Sequence, residues 1–138
     1  MKKRKPPLSY KGIKRAKFRS RLIRVGLFSQ LPYNEPNLEH ENRLFRAVLD
    51  YALYDLCSAP VKPRVDSIKF FHPDYERFRE VCLYAGLNHL KVYHMTLFLL
   101  KKIFPEYFKH FCSYWEQEGT IIEFDPSVLG KDHKLAFS

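Results

Sequence analysis

Glycine is scarce, at five residues in 138, and neither a Gly-x-Gly-x-x-Gly run nor a Gly-x-x-x-x-Gly-Lys-Ser/Thr run occurs, which excludes the usual glycine-rich phosphate cradles. Cysteine is equally sparse. Cys57, Cys82 and Cys112 stand 25 and 30 residues apart, without the close pairs of zinc or redox sites, so they read as buried thiols in a reducing compartment. No apolar run approaches the roughly 18 residues of a membrane span; the longest comparable stretch, Met95–Leu100, is interrupted by Thr96. The N-terminus lacks the apolar segment of a secretory signal, although its Arg-rich, acid-free composition also imitates an organelle transit peptide.

Catalytic signatures are missing as well. There is no His-Glu-x-x-His, and no Gly-x-Ser-x-Gly elbow to present a nucleophile. The histidines His40, His72, His89, His94, His110 and His133 include no pair at metal-binding spacing; His89 and His94, five apart, do not share a helix face. Asp50 with Asp55 and Glu116 with Glu118 read as solvated helix carboxylates, while a site assembled from distant acids stays open. The sequence therefore predicts no catalytic residue, no metal and no cofactor.

What the chain has is positive charge in one place. Lys and Arg total 24 against 15 Asp and Glu, a formal charge of +9, and through Asn34 no acid occurs at all. Lys2, Lys3, Arg4, Lys5, Lys11, Lys14, Arg15, Lys17, Arg19, Arg21 and Arg24 fill that segment; thirteen basic and fifteen acidic residues share the remainder. Such a block repels itself, so the sequence predicts a disordered arm and linker over residues 1–34, with residues 1–21 at most transiently helical. Its eleven cations are candidate phosphate contacts, because neutralising phosphates releases condensed counterions. DNA is the first expected partner and RNA the alternative; a solubilising tail, or an arm docking on an acidic protein, is the plainer reading.

The chain as a whole is 46% hydrophobic and rich in aromatics, with 12 Phe, 9 Tyr and Trp115, enough to build one core. Asn37 is placed to cap a helix with Glu39 and Glu41 in its first turn. Leu38, Phe45, Val48, Leu49, Ala52 and Leu56 supply that helix's apolar face, thickened by Tyr51, Leu53 and Tyr54. Pro60 and Pro63 end it and open a linker, Asp66 starts a short helix through Phe70 and Phe71, and another begins at Asp74 or Tyr75. Pro105 opens a last helix that Gly119 stops, and Thr120–Phe124 is a short strand-like run. The expected fold is mainly α: a compact bundle of about four to five helices over residues 35–124, with a short extended C-terminal segment and an irregular tail over 125–138.

The stretch Phe78–Leu97 resembles a helix-turn-helix DNA-binding unit. Gly86 falls at the turn, Cys82 stands where a small residue is needed for close crossing, and Val81, Ala85, Leu87, Val92 and Met95 fall at the positions that seal both helices on the core. The resemblance implies that Asn88 caps the second helix and that Asn88, His89, Lys91, Tyr93 and His94 are candidates for base contact. It departs from the pattern where Cys82 replaces the usual alanine and where Leu97-Phe98-Leu99-Leu100 is more apolar than a reading helix needs, so a purely structural helix pair remains a second reading.

The order of a Leu-Phe-Arg-Ala-Val-Leu helix, an aromatic segment and Val-Cys-x-x-x-Gly-Leu is similar to small phage and prophage proteins. That likeness implies a regulator of transcription, alone or with RNA polymerase, acting inside the cell in cytoplasm or nucleoid, or in the host cytoplasm if viral. The competing expectation is a docking factor of a polymerase, ribosome or virion whose arm touches nucleic acid without selectivity. Tyr51, Tyr54, Phe70, Phe71, Tyr107 and Tyr114 are its candidate contact residues.

Overall fold

The computed structural model describes residues 10–33, 35–58, 61–123 and Ser127. Among these the chain is mainly helical: α1 (Tyr10–Arg24), α2 (Glu39–Leu56), α3 (Val61–Phe70), α4 (Glu76–Tyr84), α5 (His89–Ile103) and α6 (Pro105–Gln117), with 3-10 turns at Phe28–Gln30 and Pro36–Leu38. The expected bundle is present with one more helix than anticipated, because the basic segment contributes α1. Lys2, Lys3, Arg4 and Lys5 lie outside the described residues, as does the expected tail apart from Ser127.

Helix α5 is the axis of the core. Every residue from Val92 to Leu97 is buried, as are Leu99, Leu100 and Ile103, the pattern of a helix enclosed on all sides. It packs on α1, α4 and α6, while α2 holds α1, α3, α4 and both 3-10 turns. Phe70, Phe71 and Phe78 meet edge to face with centroids 5.2–5.7 Å apart, joining the end of α3 to α4.

Several boundaries differ from expectation for local reasons. Asn37 lies within the 3-10 turn, and Leu38 stands at the N-cap of α2 without a side-chain cap bond. Helix α3 starts at Val61 rather than Asp66, since Pro63 falls in its first turn, where backbone N–H groups have no intrahelical partner to lose. Thr120–Glu123 forms no strand; Ile122 packs on the core and Ile121 faces outward. The ends of α4 and α6 close as Schellman turns. Leu87 N–H donates to Cys82 O at 2.9 Å around Gly86 (φ +70°), and Thr120 N–H to Trp115 O at 2.7 Å around Gly119 (φ +82°).

The largest departure is in α2, whose buried face is polar along one line. Asn42, Arg46 and Asp50 are buried at four-residue spacing, while Leu38, Val48 and Tyr51, expected inside, are exposed. Arg46 Nε donates to Ala85 O (2.9 Å), Nη1 to Leu31 O and Phe28 O, and Nη2 to Pro32 O (3.0 Å), with Cζ 3.9 Å from the Tyr33 ring. One turn on, Asp50 accepts from the N–H groups of Leu27 and Phe28 (both 2.8 Å), from Ser29 N–H and from Ser29 Oγ (2.6 Å). The carboxylate takes the donors at the start of the Phe28–Gln30 turn and the guanidinium takes the carbonyls at its end, each matching the local dipole. Burial raises the Asp50 carboxyl above its ordinary range, against the pull of those four hydrogen bonds. The solvated carboxylate read from sequence is instead a clasp that fixes the path out of α1.

Candidate nucleic-acid interface

Helix α1 sorts its cations by face. Arg15, Phe18, Arg19 and Leu22 follow the i, i+3, i+4, i+7 spacing of one helical stripe, and that stripe is turned inward. Arg15 Nε donates to Ile103 O at 3.0 Å and its Nη2 pairs with Glu106. Arg19 Nε donates to Cys57 O at 2.7 Å. The two guanidiniums thus sit on the carbonyl ends of α5 and α2, where the helix dipoles are negative. Phe18 meets Phe104 edge to face at 5.8 Å, and Leu22 is buried. The disordered arm expected here is corrected over Tyr10–Arg24: four inward residues anchor a helix that composition alone opposes.

The opposite face remains cationic. Lys14, Lys17 and Arg24 are exposed, and Arg21, half-buried, falls between them and donates to Gln30 Oε1 at 3.4 Å. With Lys14 as i, these four stand at i, i+3, i+7 and i+10, a ladder about 15 Å long at 1.5 Å per residue. Lys11 belongs to the first turn of the same helix, and no acid interrupts the fifteen residues. Of the eleven candidate phosphate contacts, Arg15 and Arg19 are therefore structural anchors, and Lys14, Lys17, Arg21 and Arg24 form the surface ladder.

The α4–α5 corner has the expected local geometry and a different exposure. Val81, Cys82, Ala85, Val92 and Met95 are buried, Leu87 packs against them, and Asn88 Oδ1 caps α5 by accepting from Leu90 N–H (2.9 Å) and Lys91 N–H (3.3 Å). A Cβ on Gly86 would lie 2.8 Å from Asn42 Nδ2, so α2 presses directly on the turn. Tyr93 and His94, however, are only 5% and 9% exposed. These two base-contact candidates belong to the interior, because α5 is buried without a break from Val92 to Leu97 and turns outward only near its two ends, at Leu90 and at Lys101 and Lys102. Asn88 is exposed, and His89 and Lys91 are half-buried.

Other candidate chemistry disperses. No group of three His, Cys, Asp or Glu able to hold a metal occurs among the described residues. Burial pushes the Cys57 and Cys82 thiols up to about 12. His72 is buried against Trp115, with centroids 4.4 Å apart; its Nδ1 accepts from Asp74 N–H at 3.1 Å, and burial lowers its pKa. Of the aromatic docking candidates, Phe71 is core, Tyr54, Phe70, Tyr107 and Tyr114 are half-buried, and Tyr51 stands out at 68% exposed. Tyr51 lines a cleft of about 190 Å³ between the end of α1 and α2, with Ile23, Val25 and Asp50. Leu44 and Val48 continue an apolar stripe along α2 from it. No helix among the described residues is long and apolar enough to cross a membrane.

Comparison with protein-family models, with curated proteins and with solved structures finds no match to this chain.

Proposed function

We propose that this protein binds nucleic acid through its phosphates, DNA first and RNA as the alternative, with the exposed ladder of α1 as the principal contact. The observation that carries the reading is the sorting of charge on α1: the cations needed to hold the helix point inward, and Lys14, Lys17, Arg21 and Arg24 remain in line on the outside without an acid among them. A ladder of this kind attracts any polyanionic strand and gives affinity without sequence choice. Selectivity would rest on the first turn of α5, Asn88, His89 and Lys91, which limits a transcription regulator of this design to few base contacts. Fluorescence anisotropy with a random-sequence duplex tests it. Replacing Lys14, Lys17 and Arg24 by glutamine reduces the slope of log affinity against log salt by about 2.7, at about 0.9 per phosphate lost. An unchanged slope refutes the assignment.

A docking factor for a nucleic-acid-containing assembly, such as RNA polymerase, a ribosome or a virion, is the second reading, favoured by the stripe Leu44, Val48 and Tyr51, of which Leu44 is 64% exposed. Charged substitutions along that stripe would release the chain from the assembly and leave duplex affinity intact.

A further inference from the structure

Three guanidiniums converge on one aromatic pair. Phe104 and Tyr107 stack with centroids 5.4 Å apart and planes 18° from parallel. Arg15 Cζ lies 5.1 Å from the first ring and 5.8 Å from the second, Arg19 Cζ 5.2 Å from the first, and Arg64 Cζ 4.1 Å from the second. They come from two elements distant in sequence, α1 and α3, and meet where α5 passes into α6.

Their donors exceed their acceptors. A guanidinium carries five N–H groups. Arg15 uses Nε and one Nη, Arg19 uses Nε alone, and the Nε of Arg64 is buried with no acceptor among the described residues. Aromatic faces attract the charge but accept none of these hydrogens in the plane of the guanidinium. The ion pair these three make among the described residues is Arg15 with Glu106, which leaves Arg19 and Arg64 without a carboxylate partner beside several unused N–H groups.

We propose that Arg15, Arg19 and Arg64, gathered on the Phe104–Tyr107 stack, form a binding site for a phosphate monoester. A dianionic phosphate offers three acceptor oxygens and a charge near −2, matching both the surplus donors and the surplus charge, and arginine forks suit it better than any single ammonium. A backbone phosphodiester, with one charge, fits the site less well than a terminal phosphate. Two sources carry that chemistry: the phosphorylated end of a strand, which rests on the nucleic-acid reading above, and a free nucleotide, which does not.

The test uses the full chain and a single-stranded oligonucleotide carrying either a 5′-phosphate or a 5′-hydroxyl, with AMP as the free nucleotide. The phosphorylated strand binds about tenfold more tightly, the scale of one added set of charge-assisted hydrogen bonds. Arg64→Gln removes that preference and leaves the hydroxyl-ended strand within about twofold of the original affinity. The Lys14→Gln, Lys17→Gln, Arg24→Gln variant weakens both strands equally and keeps their ratio. Phosphorus NMR of AMP with the unaltered protein gives a readout that needs no variant: its resonance shifts on addition of protein, and inorganic phosphate reverses the shift. AMP binding without strand binding supports the site and overturns the nucleic-acid reading. Equal affinity for both strand ends with no AMP shift overturns the site while leaving the ladder of α1 intact, as does a preference that survives Arg64→Gln.

Discussion

Replacing Arg46 by methionine removes a side chain that ties the loop after α1 to the end of α4. The methionine fills much of the same volume, so the change is chiefly the loss of donors. The Leu31 and Ala85 carbonyls belong to residues 2% and 0% exposed and lose their guanidinium partner, whereas Pro32 is exposed and can turn to water. A buried polar group left unsatisfied costs about 1–3 kcal/mol, which gives about 2–6 kcal/mol for the two. Asp50 keeps its hydrogen bonds from backbone N–H groups and Ser29 but loses the nearby positive charge of Arg46, while burying a thioether in place of a cation offsets part of the cost. The expected net loss is about 3 kcal/mol, a large part of the roughly 5–15 kcal/mol that holds a domain of this size together. Urea unfolding followed by far-ultraviolet circular dichroism measures it, and Arg46→Lys, which reaches fewer carbonyls at once, recovers about half. A loss below about 1 kcal/mol for the methionine variant refutes the clasp as a main tie of the fold.

Gly86→Ala forces a side chain into the left-handed region and against Asn42 Nδ2, so it lowers stability by about 2 kcal/mol or more in the same assay. Asn88→Ala removes the cap of α5 and costs about 1 kcal/mol; a change in preferred duplex sequence beyond that loss identifies the first turn of α5 as a reader of bases. Burial holds the pKa of His72 below its ordinary value of 6.5, so the unfolded chain takes up the proton first. Stability is therefore complete above that value and falls as pH drops from 6.5 through the folded-state pKa; His72→Gln flattens the decline, read as unfolding midpoints across that range.

Helices were legible in the sequence where apolar spacing and turn glycines agreed. The α4–α5 corner shows this best: Gly86, Asn88 and the buried Val81, Cys82, Ala85, Val92 and Met95 occupy their expected places. Exposure was not legible. An apolar run such as Leu97–Leu100 says that a helix is covered but not which neighbours cover it, and Tyr93 is buried where the His72 ring, from the segment between α3 and α4, meets it with centroids 6.2 Å apart. The misreadings of α1 and α2 share one cause: sorting residues into apolar-inside and polar-outside assigns Arg15, Arg19, Arg46 and Asp50 to solvent. Each is inside because it satisfies backbone groups at a helix end or in a loop, and those groups become its partners only after the chain has folded. The signal available beforehand was the Arg15, Phe18, Arg19, Leu22 spacing, which is a helix face once arginine is allowed to belong to it.

As a docked helix of the free protein, α1 offers only one face of its charge to a partner. Residue-by-residue amide hydrogen exchange of the full chain without nucleic acid tests that claim directly. Amides from Phe18 to Arg24 are expected to exchange at least about 100-fold more slowly than unstructured peptide, a cost of opening near 3 kcal/mol, and Arg15→Gln with Arg19→Gln is expected to abolish the protection. Exchange at unstructured rates throughout the segment in the unaltered protein would contradict it.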